Sequence, residues 1–395
     1  MQGASIYYYQ SKQTSSNGIE KYPKLRFPEF SGPWERVRIG DFYAERSERG
    51  AESAELLSVT MTEGVKRRSD IEGKDNSSED KENYKVVHIG DMVYNSMRMW
   101  QGANGISDYD GIVSPAYTVM KAKREIANGF FAALFKTHRM IGEFCRHSQG
   151  MTSDTWNLKY PQIESIQTYI PTVTEQRKIA DMLMYLDRRI EKQHQLLEHL
   201  KKYKRGVMCS YFSGKLVLHR SNGQHYSHWR EYTLSDVSDE FKSGKSITST
   251  DINEVGEYAV YGGNGVRGYT DHYSHDGQYV VVGRQGALCG NVRIIDGKNY
   301  LSEHAIAVKA NSNHYTPFLL YLLSDMRLGQ YSDQGAQPGL AVNKLLKLKR
   351  KFPEYEEQVR FATFMQQIDN KLNSENNKLE YITTLKRGLL QQLFT

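Results

Sequence analysis

The stretch PTVTEQRKIADMLMYLDRRIEKQHQLLEHLKKYKRGVMCSYF, residues 171–212, returns without a gap as PEYEEQVRFATFMQQIDNKLNSENNKLEYITTLKRGLLQQLF, residues 353–394. One offset, 182 residues, aligns Pro171 with Pro353, Glu175-Gln176 with Glu357-Gln358 and Asp187 with Asp369. It also aligns Lys204-Arg205-Gly206 with Lys386-Arg387-Gly388 and Phe212 with Phe394. A single register held over the whole stretch marks an internal repeat, and a chain with a repeat is read repeat first.

Both copies carry apolar residues at heptad spacing, the pattern of a long helix whose narrow stripe packs on another helix. In the first copy the stripe is Ile179, Leu183, Leu186, Ile190, Gln193, Leu197, Leu200 and Val207. In the second it is Phe361, Met365, Ile368, Leu372, Glu375, Leu379, Ile382 and Leu389. Even the polar interruptions coincide, Gln193 standing where Glu375 stands. A proline near each start, a glutamate in each first turn and a Lys-Arg pair near each end suit helix termini. A helix that only covers its own domain needs neither this length nor so narrow a stripe. The expectation is therefore that the two helices pair, with Gln193 and Glu375 as register-fixing polar groups.

The segments ahead of the helices correspond more weakly. Trp34-Glu-Arg-Val-Arg-Ile-Gly-Asp41 resembles Trp229-Arg-Glu-Tyr-Thr-Leu-Ser-Asp236 as an opening strand or helix. HIGDMVYNS from His88 lies on HDGQYVVVG from His275, and SPAYTVMKA from Ser114 on SEHAIAVKA from Ser302. The offset drifts here, so the halves share a scaffold but differ by insertions. The fold class expected is mixed α/β (α+β): two domains separated by two long helices in an antiparallel coiled coil, pseudo-two-fold overall.

At 395 residues the chain is too long for one ordinary core, and two are the starting expectation. Its 39% hydrophobic and 25% charged residues, with 27 Tyr and 32 Gly, suit globular domains rich in turns and sheet. A net charge of +6 leans mildly toward a polyanionic partner. Cys145, Cys209 and Cys289 form no CxxC pair and are read as reduced or incidental thiols. No run of 18 apolar residues or secretory signal is present, so a cytoplasmic location with no membrane partner is expected. Residues 1–24, polar and low in aliphatics, are read as a mobile tail.

Enzyme chemistry finds little footing. An adenine methyltransferase needs an Asn/Asp-Pro-Pro-aromatic loop, and no such loop occurs. Ser243-Gly244-Lys245-Ser246 ends like a phosphate loop, but Asp239 stands where its first glycine belongs, so it reads as a turn. Glu72-Gly73-Lys74 and Glu79-Asp80-Lys81 have nuclease-like spacing, yet lie in a polar run without a strand to anchor a metal site. No HExxH, paired-ligand histidines or GxSxG elbow is present, so neither a catalytic residue nor a metal site is assigned.

Two variable segments alternating with two near-repeated helices, PxxxEQ before each helix and KRG near each end resemble the specificity subunits of type I restriction-modification systems. YPKLRFPEFSGPWE at Tyr22, VYNSMRMWQGANGIS at Val93, DGIVSPAYTV at Asp110, YGGNGVRGY at Tyr261 and GRQGALCGN at Gly283 also look like that family. The likeness covers residues 25–395. It implies a target recognition domain at 25–170, a spacer helix at 171–212, a linker at 213–228, a second recognition domain at 229–352 and a second spacer helix at 353–395. It further implies a non-catalytic subunit that reads a bipartite, asymmetric site in double-stranded DNA, one half-site per domain. Two adenine methyltransferase subunits and ATP-dependent restriction/translocase subunits would be its partners. S-adenosylmethionine, ATP and Mg2+ would belong to those partners, and this chain would hold no cofactor. A helix of about 38 residues spans roughly 57 Å, more than one and a half turns of B-DNA, which suits a ruler between half-sites.

Arg, Asn and Gln are the side chains suited to bidentate reading of guanine and adenine edges. Arg98, Gln101 and Asn104 lie among glycines in the first domain. Asn264, Arg267, Arg284 and Gln285 lie in similar surroundings in the second, with His304 on the following strand. Lys121 is a candidate phosphate contact, with Lys123 and Arg124 beside it. Two alternatives stand. The glycine-rich segments are structural turns in which Arg98 or Arg284 braces a loop, the readers lying near Lys66-Arg67-Arg68, Thr152–Trp156 or Tyr331–Gln337; or the whole chain is a coiled-coil scaffold joining two protein-binding modules without DNA.

Overall fold

The computed structural model describes residues 7–8, 21–50, 54–61, 63–75, 77–152, 155–286, 288–333 and 339–394. The chain divides into two compact units, residues 1–194 with 378–395, and residues 195–377. The division falls inside both long helices, rather than at their ends as the sequence segments suggested.

Each unit is built on a four-stranded antiparallel sheet. In the first its order is Tyr43–Glu45, Tyr117–Ala122, Met92–Asn95, Asn104–Ile106. In the second the order is Ser238–Ser243, Ala305–Ala310, Tyr279–Gly283, Val292–Ile295. The central pairs keep one register. Tyr117 faces Asn95 as Ala305 faces Gly283, each residue 188 positions after its counterpart. YVVVG is apolar throughout because its strand is buried along its whole length. The opening segments are strands: Glu35–Arg38 pairs with Gln167–Ile170, and Arg230–Thr233 with Lys349–Phe352.

The long helices are Val173–Phe212 and Tyr355–Phe394, 40 residues each. Every position of the two apolar stripes is buried or half-buried. In the first unit Lys386 forms an ion pair with Asp187, while Ile179, Leu183 and Phe394 share one core. The two helix segments there are thus antiparallel. In the second unit Lys204 pairs with Asp369 and Tyr211 stacks on Phe361 at 3.7 Å, again antiparallel.

Aromatic clusters bind the helices to the sheets. Trp34 meets Phe130 edge-on at 5.9 Å, and Phe394 lies 5.1 Å from Phe130. In the second unit Phe212 lies 5.7 Å from Phe318 and 6.5 Å from Trp229. Phe318 stands 188 residues after Phe130, so the same cluster is built twice. Burying each such ring contributes about 1.5–3 kcal/mol.

The repeated Glu-Gln pair is also explained. Gln176 Oε1 accepts from the amide of Ala127 at 3.2 Å, and its Nε2 donates to Pro171 O at 2.9 Å. Gln358 does the same with the Tyr315 amide, at 2.9 Å, and Pro353 O, at 2.9 Å. Each glutamine ties the first turn of a long helix to the start of the short helix that follows the sheet, Asn128–Leu134 or Thr316–Asp325. The preceding glutamates differ. Glu175 accepts both arms of Arg26, at 2.8 and 2.7 Å. Glu357 is met by the Tyr211 hydroxyl at 3.1 Å, and burial pushes its carboxyl above the usual range.

Three smaller readings resolve as follows. Residues 1–6 and 9–20 of the N-terminal stretch lie outside the described residues, while Tyr7–Tyr8 pairs antiparallel with Leu25–Arg26. The 213–228 linker contains an antiparallel bridge between His219 and His225. Gly244-Lys245 is not a turn but an extension that runs beside Leu301-Ser302, where Lys245 bridges Ser302 in parallel. A Cβ at Gly244 would sit 2.2 Å from Leu301 O, which accounts for the glycine without any phosphate.

Candidate nucleic-acid interface

Several of the candidate readers gather at one place in each unit, where the second strand of the sheet in chain order leaves it and the fourth comes back to it. In the first unit Arg98 is exposed in the loop after Met92–Asn95. With Arg68, Lys74, Asn95 and Tyr117 it lines a groove of 480 Å³. Gln101 closes a single 3-10 turn, Met99–Gln101, and is half-buried.

Asn104 does not belong with these residues. It lies on the strand Asn104–Ile106 opposite Tyr94, fully buried, with its Nδ2 donating to Gly102 O at 3.1 Å. That burial takes its amide off the surface, where base reading would need it. Lys121 is exposed, but it stands four residues along its strand from Tyr117, at the end away from the loop. At about 3.3 Å per residue it lies on the order of 13 Å from it. Lys123 Nζ donates to Gly40 O at 2.6 Å, and Arg124 lies over the Phe42 ring.

A hairpin flanks this place in each unit: Leu57–Thr60 with Gly64–Arg67, and Tyr258–Gly262 with Gly265–Thr270. On the first, Arg67 is exposed with its guanidinium 4.8 Å from the Tyr109 ring centroid. Arg68 instead folds its own loop, donating to Ile71 O, Gly73 O and Lys74 O at 2.7–2.9 Å. On the second hairpin Asn264 is exposed at the turn and Arg267 on the returning strand.

In the second unit the hairpin turn packs directly on the loop. A Cβ at Gly263 would sit 2.9 Å from Gln285 O and 3.1 Å from His304 O. Asn264, Gln285 and His304 are thereby brought together, with Gln285 Oε1 2.7 Å from His304 Nδ1. Arg284 braces the loop, the alternative weighed for it. Its amide donates to His304 O and its Nη1 to Glu303 O, while its carbonyl accepts from Leu340. Arg293, on the strand Val292–Ile295, was not singled out in the sequence. Its guanidinium reaches beneath Gly265, where a Cβ would sit 2.5 Å from Nη1. An arginine inside VRII was its only signal.

The remaining stretches contribute less. Thr152–Trp156 includes residues 153–154, which lie outside the described residues; Trp156 packs edge-on against Trp100 at 5.3 Å. In Tyr331–Gln337, residues 334–337 lie outside them too, and the Tyr331 hydroxyl accepts from Arg350 at 3.1 Å. Of the tyrosines, Tyr94 is a core residue, whereas Tyr269 and Tyr273 are exposed.

A scaffold duplicated in strand register, with unlike polar loops at the same end of each sheet, defines a class of two-module recognition proteins. The sequence matches the type I restriction modification DNA specificity domain twice, over residues 32–202 and 226–384, and the chain belongs to that family. It is 37% identical over 166 residues to the type I restriction enzyme EcoprrI specificity subunit of Escherichia coli, 38% of this chain and 41% of that relative. The chain thus spans less than half the length of that relative in the match. To the MjaVIII specificity subunit of Methanocaldococcus jannaschii it is 25% identical over 414 residues, 94% of this chain and 93% of the relative. The fold is that of the type I restriction-modification S subunit from M. genitalium, with a TM-score of 0.64 and 20% identity over 94% of this chain and 99% of that one. A chain from a type I R-M system studied for complex assembly and conformational transition has a TM-score of 0.54 and 17% identity, covering 91% and 97%.

Proposed function

We propose that this chain is the DNA-reading subunit of a type I restriction-modification complex and carries out no chemical step itself. Each recognition domain reads one half of a bipartite, asymmetric site in double-stranded DNA, and the helices set the spacer. The observation that carries this reading is the duplicated sheet register, Asn95–Tyr117 and Gly283–Ala305, which ends in Arg98 in one unit and in Gln285 and His304 in the other. One scaffold presenting two unlike polar sets suits two unlike half-sites. Exposed Arg98 and Arg267 and half-buried Gln101 are assigned to base edges. Lys121 is assigned to the phosphate backbone.

Two adenine methyltransferase subunits and ATP-dependent restriction/translocase subunits are the partners, and S-adenosylmethionine, ATP and Mg2+ are used by them. No helix among the described residues is long and apolar enough to cross a membrane, and the cytoplasm is where such a complex meets DNA. The test is to co-express the chain with its methyltransferase and map methylated adenines. A two-part motif is expected, and methylation without one overturns the reading. Removing seven residues from one long helix should alter the spacer while both half-sites stay readable.

A further inference from the structure

We propose that His304 fixes Gln285 as a hydrogen-bond donor toward DNA, so that the second recognition domain reads an acceptor edge, guanine or thymine, at the base pair Gln285 meets. The inference rests on the reading of that domain as DNA-contacting. Gln285 follows the strand Tyr279–Gly283, and His304 immediately precedes the strand Ala305–Ala310. Their backbones are held in place: Arg284 N donates to His304 O, and Gly263 packs against the carbonyls of both Gln285 and His304. Gly286, left-handed at φ 85, has open space on its Cβ side.

Between the side chains, His304 Nδ1 and Gln285 Oε1 are 2.7 Å apart. An amide oxygen only accepts, so the proton in this contact sits on Nδ1. On the other side of the ring His304 Nε2 lies 3.1 Å from Glu303 Oε1, a contact that holds the ring only with a second proton on Nε2, so the two contacts together belong to the imidazolium. The oxygen of Gln285 is thereby turned to His304, and among the described residues no hydrogen bond holds its Nε2.

A free glutamine reads adenine by accepting from N6 and donating to N7 at once. With Oε1 turned to His304, the N–H donors are the group that faces away from the ring. They match O6 and N7 of guanine or O4 of thymine, and they leave the N6 amino group of adenine without an acceptor. The device is confined to one half. The counterparts 188 residues earlier are Met97 and Ala116, which can make no such pair.

His304 is thus a positioning residue, and base preference is its readout. With the methyltransferase co-expressed and methylated sites mapped, Gln285→Ala marks the position concerned as the one whose preference relaxes. At that position the wild type should prefer guanine or thymine. His304→Ala should raise the relative use of adenine there about tenfold, with the other half-site unchanged. His304→Asn, whose amide can still donate to Gln285, should restore the wild-type preference. A wild-type adenine at that position, unchanged preferences in His304→Ala, or an even loss of methylation at every sequence overturns the inference. A bipartite motif in those same maps keeps the domain reading intact when the inference fails, whereas the absence of any motif removes both.

Discussion

Lys386 is ion-paired with Asp187, a residue 199 positions before it. The counterpart of each 182 residues away, Lys204 and Asp369, forms the matching pair in the other unit. Lys204 and Lys386 fall in register with the apolar stripes, seven residues after Leu197 and Leu379, yet each reaches an aspartate on the facing helix. Each pair favours an antiparallel register of the two helix segments within its own unit, because a slide of one turn would separate it.

Asp187 is 55% exposed and Lys386 24%, so solvent screens the pair. Its coupling is expected to be modest, about 0.5 kcal/mol, in a double-mutant cycle of Asp187→Ala and Lys386→Ala read by urea denaturation. Charge reversal of one partner should destabilise more than its truncation, and reversal of both should recover most of the loss. A coupling near zero would remove the pair from the register argument.

Replacing Gln176 by leucine strands the half-buried amide of Ala127 and the carbonyl of Pro171. Each unsatisfied group costs roughly 1–3 kcal/mol, so the variant should lose about 2–4 kcal/mol. Gln358→Leu should behave alike. Hydrogen exchange should speed up at Ala127 in the first variant and at Tyr315 in the second, each without the other.

The paired glutamates should part company. Glu175→Gln leaves Arg26 buried without its anion and should cost about 3 kcal/mol. Glu357→Gln should cost little or stabilise at neutral pH. Burial raises the pKa of Glu357, with the Tyr211 and Trp229 hydrogen bonds opposing it, so the folded state holds that proton more tightly than the unfolded state. Its contribution is then most favourable below the ordinary value of 4.5 and is lost as pH rises through the raised one. Melting curves across that window should show Glu357→Gln gaining on the wild type as pH increases; a constant difference would contradict the assignment.

For DNA, Arg267→Ala and Arg98→Ala should each relax one position of the motif, on opposite half-sites, with a loss of about 1–3 kcal/mol. Lys121→Ala should weaken binding evenly across sequences and lower the salt slope by about one. Titrations at several salt concentrations on target and scrambled duplexes separate the two patterns.

The helices were legible in the sequence because a heptad stripe and a fixed offset are local, periodic signals. The sheets were half legible: their alignment drifted because the connecting loops differ in length, although the central strands keep the 188-residue step. What stayed hidden depended on distant partners. Arg26 and Glu175 are 149 residues apart, and the Glu-Gln motif acts partly on backbone amides that no side-chain pattern reveals. Asn104 misled because its flanking glycines suggested an open turn. They instead permit close strand packing, since a Cβ at Gly105 would sit 2.6 Å from the Cα of Gly64.

Phe394 lies against Phe130 and shares a core with Trp34, which has a consequence during synthesis. The ribosome finishes residue 194 some two hundred residues before it delivers the segment that completes the same unit. At 5–20 residues per second this is a wait of roughly 10–40 s. Throughout that interval the first unit lacks residues 378–395, the helix segment that carries Phe394 into its core. Any message cut short before residue 378 yields a product that never closes it.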